Sequence, residues 1–184
     1  DLYDGDWKDY NTGLFLVKQM AKLNDHGIGA FLVAGNHDAA NKITKKLRFP
    51  DNVNLFPSSR SGTVQIQPLG VALHGQSFTS PAVKADLSKN YPDPVKGFYN
   101  IAILHTCANG REGHEPYAPC SISGLNTKGY DYWALGHVHQ YEVLQENPPV
   151  VFSGNTQGRH IRESGPKGCV LVTVDDGGSS QMEF

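Results

Sequence analysis

The sequence predicts a single-domain α/β fold, and three observations carry that prediction. Short apolar runs, Ala30-Phe31-Leu32-Val33-Ala34, Ile101-Ala102-Ile103-Leu104 and Tyr132-Trp133-Ala134-Leu135, end at glycine, histidine or polar turns, as buried strands do. A helix-period segment precedes the first run and a second helical stretch follows it, the alternation that builds parallel sheets with crossover helices. Finally, 184 residues, 39% of them apolar, suit one domain with a substantial core.

From Asn11 or Thr12, residues Leu14, Leu16, Val17, Met20, Ala21 and Leu23 recur near helical spacing, and Gly27 stands where a C-terminal cap belongs. Residues 30–34 are too short for a helix between their glycines and read as a buried strand. A second helix is expected from about Asp38 to Leu47, stopped before Pro50. Val53-Asn54-Leu55, residues 63–67 and Val71-Ala72-Leu73 read as short strands, and 80–97 as loop with a short helix. Tyr99 to Leu104 is another buried strand, whereas 107–130 reads as a long loop of the functional or mobile kind. The short strands 141–144, 149–152 and 169–174, with tight Gly and Pro punctuation, are expected to be antiparallel.

Composition excludes some functions. The net charge of −2 does not mark a general nucleic-acid binder, and the basic cluster Lys42, Lys45, Lys46 and Arg48 reads as a solvated helix face. No apolar run approaches the roughly 20 residues needed to span a bilayer, and nothing resembles a signal peptide. Cys107, Cys120 and Cys169 form no CxxC pair and are odd in number. They read as reduced, small buried residues of a cytoplasmic protein.

The chemistry is concentrated at turns that follow apolar runs. Asp1-Leu2-Tyr3-Asp4 opens the chain, Gly35-Asn36-His37-Asp38 follows the first strand, His105 closes another, and Gly136-His137-Val138-His139 follows a third. The carboxyl ends of strands in open α/β sheets are where ligand-binding side chains are displayed. If the strand stays extended past Gly136, alternation sends His137 and His139 to the same side, and Gly35 and Gly136 permit sharp turns. Carboxylate, amide oxygen and imidazole from separate strand ends can hold two divalent metals. Such a pair neutralises the anionic oxygens of a phosphate ester and supplies a water of lowered pKa as nucleophile. Nitrogen and oxygen ligation without thiolate suits manganese, iron, zinc or nickel.

These four blocks, in this order and approximate spacing, resemble the calcineurin-like metallophosphoesterase family over nearly the whole chain. Residues 130–139 and Ser153-Gly154-Asn155-Thr156-Gln157-Gly158-Arg159-His160 look most like its bacterial DNA repair exonuclease branch, that of the SbcD nuclease subunit. The resemblance implies a four-layer α/β sandwich of two mixed sheets flanked by helices. It implies Asp1 as a carboxylate bridging two metals, manganese first among them. Asn36, His105 and His137 would complete one metal's protein ligands, and His139 would bind the other. Metal-bound hydroxide would attack in line, and His37 would protonate the leaving oxygen or steady the transition state. Asp38 would orient His37, or cap the following helix. The family's Asp-x-His motif on a preceding strand has no counterpart before Asp1, so the chain is expected to be part of a longer protein.

By the same resemblance the substrate is DNA and the partner an SMC-like ATPase subunit, with a homodimer compatible. Two rival functions are a phosphatase or diesterase for small molecules and a catalytically inactive scaffold. Arg159 and His160, in a Gly-rich turn, are candidates for phosphate contact, and His74 at a strand end for the substrate pocket. Asp4 and Asp6 read as turn residues, His114 as solvated and Trp133 as core.

Overall fold

The computed structural model describes residues 1–3, 9–40, 47–109 and 117–184. The expected Asp4, Asp6, His114, Lys42, Lys45 and Lys46, and the second half of the second helix, lie outside the described residues. Helix α1 spans Asn11–Asp25, strand β1 Ala30–Leu32, helix α2 Asn36–Ala40 and β2 Val53–Leu55. They are followed by β3 (Gly62–Ile66), β4 (Val71–Gly75), β5 (Tyr99–His105), α3 (Ile122–Asn126) and β6 (Tyr132–Gly136). The remaining strands are β7 (Glu142–Glu146), β8 (Pro149–Phe152), β9 (Leu171–Val174) and β10 (Ser180–Glu183).

Six strands form one mixed sheet in the order β3-β4-β5-β6-β8-β7. Its inner strands β4, β5, β6 and β8 run parallel, and β3 and β7 close the edges antiparallel. All four residues of β8 are buried, as are four of five in β4, as expected of parallel strands covered on both faces. Strands β1 and β2 pair in parallel, and β9 and β10 antiparallel, as two-stranded sheets. The α/β class expected from the sequence is the class observed.

The main core sits on one face of the large sheet. Register places Ala102 beside Trp133, Leu104 beside Leu135, and Leu135 beside Phe152. These side chains pack with Leu87 of the 3₁₀ turn Leu87–Asn90, with Tyr91 just after it and with Leu125 of α3. Trp133 is completely buried and stacks near Tyr91 and Tyr130.

Several expectations are corrected. Helix α2 begins at Asn36, two residues early, so the ligand-type turn is itself helical. The 107–130 stretch contains α3, capped by Ser121 Oγ accepting from the Gly124 N–H at 3.1 Å. Its five residues are too few to show a period. Strand β8 is antiparallel to β7 but parallel to β6, a pairing that local punctuation cannot encode. Strand β10 was not expected; Ser180–Glu183 is short and half-exposed. Cys107 and Cys120 are buried, whereas Cys169 is exposed, because it leads from a glycine-rich turn into the exposed strand β9.

Candidate metal centre

Parallel register brings the candidate ligands together. His105, the last residue of β5, pairs with Gly136, the last of β6, and the Thr106 N–H continues the ladder to Gly136 O at 3.1 Å. Leu135 pairs with Phe152, so the segment after β8 leaves the sheet at the same level. Strand β1 belongs to another sheet and is stitched in by hydrogen bonds. The Phe78 N–H donates to Ala34 O at 2.8 Å, and the Ala34 N–H to Ser77 Oγ at 3.0 Å. Ser77 Oγ in turn donates to Phe56 O at 2.6 Å.

Beyond Ala34 the chain meets Asp1 and His105. His105 Nε2 lies 3.0 Å from Asn36 Oδ1 and 3.5 Å from Asp1 Oδ2, and its Nδ1 lies 3.1 Å from the Asp1 nitrogen. Asp1 Oδ1 accepts the His37 backbone N–H at 2.9 Å. Gly35 has no alternative here: a Cβ would stand 2.2 Å from Asp1 Oδ1 and 2.6 Å from the His105 ring. Close approach, rather than the sharp turn expected from the sequence, is what requires this glycine.

Asp38 is buried, and its Oδ2 accepts the Leu2 N–H at 2.7 Å and the Gly35 N–H at 3.1 Å. It therefore ties the Asp1 segment to α2, which favours the bland capping role over orientation of His37. Burial raises its carboxyl pKa, opposed by backbone donors from Leu2, Gly35 and Tyr3. His105 is held well below the ordinary imidazole range. Burial is the largest cause, and the imidazoles of His137, His37 and His139 act in the same direction. A neutral imidazole is the form that ligates metal.

His137 does not continue the strand. Strand β6 ends at Gly136, and His137 has φ of 106°, a conformation costly for a residue with a Cβ. Alternation therefore does not relate His137 to His139; a strained turn does. The His137 ring packs edge-on to His105 with centroids 5.0 Å apart. His139 instead faces a cleft of about 380 Å³ shared with Asp1, Leu2, Tyr3, His37, residues 154–157 and Arg159. His139 Nδ1 lies 2.8 Å from Glu163 Oε1, a partner that no sequence pattern had marked.

The weaker candidates separate. Arg159 lines the cleft, whereas His160 lies outside its lining and is exposed, 3.7 Å from Glu163. His74 is no pocket residue: it is fully buried, stacked on Tyr130, and bonded to Thr63 Oγ1 and Asn100 Oδ1. Its side chain presents no surface to a substrate.

Among the described residues, no three His, Cys, Asp or Glu side chains already stand in a metal-holding group; His105 Nε2 is engaged by Asn36 and Asp1, and His139 Nδ1 by Glu163. The set nevertheless fits. Two ligands about 2.1 Å from one ion and roughly at right angles lie about 3 Å apart, close to the separations of His105 Nε2 from Asn36 Oδ1 and Asp1 Oδ2. One carboxylate, one amide oxygen and neutral imidazoles are the donors that borderline divalent ions take.

The chain is 36% identical over 181 residues to the uncharacterized metallophosphoesterase YhaO of Bacillus subtilis, covering 96% of this chain and 44% of that protein. It is 27% identical over 150 residues to the DNA double-strand break repair protein Mre11 of Sulfolobus acidocaldarius, covering 76% of this chain and 37% of that protein. The Mre11 of Sulfurisphaera tokodaii is 26% identical over 152 residues, 79% of this chain and 38% of that protein. The chain thus spans less than half the length of each of these relatives. Residues 1–141, which include every candidate ligand, match the description calcineurin-like phosphoesterase, and the chain belongs to that family.

Proposed function

We propose that this domain is a dinuclear metal-dependent phosphodiesterase whose substrate is DNA, and that it belongs to a longer repair nuclease. The observation that carries the hydrolytic reading is the convergence of Asn36 Oδ1 and Asp1 Oδ2 on His105 Nε2, at 3.0 and 3.5 Å, beside a cleft lined by His37, His139 and Arg159. DNA is favoured by the two relatives named as double-strand break repair proteins. A partner ATPase of SMC type and a homodimer are parts of the same proposal.

Asp1, Asn36, His105, His137 and His139 would hold two divalent ions, manganese first among them. When bound, such ions neutralise phosphate oxygens and acidify a water for attack. Gly35 lets Asp1 and His105 approach, and Asp38 fixes the Asp1 segment through the Leu2 N–H. His37 lines the cleft, and its backbone N–H is bonded to Asp1 Oδ1. It would protonate the departing oxygen. Arg159, which lines the same cleft, would meet a phosphate oxygen.

The net charge of −2 favours a second reading, a small-molecule diesterase, since no general attraction for polyanionic DNA follows from it. The test is manganese-dependent hydrolysis of linear duplex DNA, bis-p-nitrophenyl phosphate and a phosphomonoester by the full-length protein. DNA degradation abolished by chelator is expected. Hydrolysis of the small diester alone would move the substrate to small molecules. His37→Ala is expected to retain both metals while turnover falls about 10²-fold or more; unchanged turnover removes His37 from the mechanism.

A further inference from the structure

One acidic side chain in the segment after β8 uses its two oxygens differently. Glu163 Oε1 lies 2.8 Å from His139 Nδ1, while Oε2 accepts the Arg159 backbone N–H at 3.0 Å. The turn holding it is closed by the Glu163 N–H donating to His160 O at 2.9 Å. The same segment grips His139 a second time, through Lys167 Nζ donating to His139 O at 2.9 Å. It also packs against the following backbone so closely that a Cβ on Gly154 would stand 2.7 Å from the Tyr141 nitrogen.

We propose that Glu163 is a positioning residue for the metal ligand His139, and that it couples that ligand to the cleft-lining backbone at Arg159. The inference rests on His139 being a ligand. A carboxylate ionised at neutral pH can only accept, so His139 Nδ1 must carry the proton and donate it. With Nδ1 engaged by the carboxylate, Nε2 is the one nitrogen left to face an ion. Carboxylate–imidazole pairing of this kind orients a metal-binding ring and raises its basicity. His160 does not compete for the same role, because its Nε2 is 3.7 Å from the carboxylate and its side chain is 57% exposed.

The experiment is Mn²⁺ titration calorimetry on the wild type, Glu163→Ala, Glu163→Asp and His139→Ala, with ¹H–¹⁵N spectra of the histidine rings in metal-free protein. Glu163→Ala is expected to weaken one of two Mn²⁺ sites by about 10–100-fold and to shift His139 away from the Nδ1-protonated tautomer. Glu163→Asp, one methylene short, is expected to lose less in the same direction. Wild-type affinity at both sites in the Glu163 variants, while His139→Ala loses a site, overturns the role of Glu163 alone. A lowered melting temperature without change in Mn²⁺ affinity does the same. If His139→Ala binds both ions normally, the ligand assignment falls and takes this inference with it. Should Glu163→Ala not fold, Glu163→Asp and the tautomer spectrum decide.

Discussion

His74 and His105 are both buried histidines at the ends of neighbouring parallel strands, yet their surroundings give them different work. His74 is enclosed by Thr63, Asn100 and Tyr130, and is therefore structural. His105 opens onto Asn36 and Asp1. Burial, above all, lowers the pKa of both rings. The folded state therefore binds fewer protons than the unfolded chain below about pH 6.5, and stability rises with pH through that window. The denaturation midpoint of the metal-free protein is expected to hold above pH 7 and to fall as the pH drops from about 6.5. His74→Gln is expected to flatten that fall, and an unaltered slope would place the acid sensitivity elsewhere. In the sequence both histidines simply followed apolar runs; only their neighbours distinguish them.

At the scale of elements, the turn from β1 into α2 does most to assemble the centre. It delivers Asn36 and His37 from α2, and Asp38 from the same helix anchors the Asp1 segment. Gly35 sits at its crowded point. Gly35→Ala is expected to destabilise the domain by about 1–3 kcal/mol, as overpacking does, and to reduce bound Mn²⁺. Wild-type melting and metal content in that variant would show that Asp1 and His105 can move aside at no cost. The motif itself was legible in Gly35-Asn36-His37-Asp38. That the glycine serves a contact, and that His137 is strained, was not legible, because both depend on chain segments distant in sequence.

For the whole molecule, the large sheet is the platform, and its core decides whether the strand ends stay level. Trp133 is the largest fully buried side chain on it, in register with Ala102 and Val150. Trp133→Ala is expected to cost about 3–5 kcal/mol, measured by denaturant unfolding. A cost under about 1 kcal/mol would mean that the core is not organised around this residue.

By itself the sequence determined the α/β class, most inner strands of the sheet, and the identity of the candidate ligands, because these depend on local periodicity and on short runs of adjacent residues. Tertiary structure decided the rest. It placed β8 parallel to β6, buried His74, exposed Cys169, bent the chain at His137 and brought Glu163 to His139. Each of those outcomes is set by contacts between residues far apart along the chain, where neither propensity nor spacing carries information about which partner will be met.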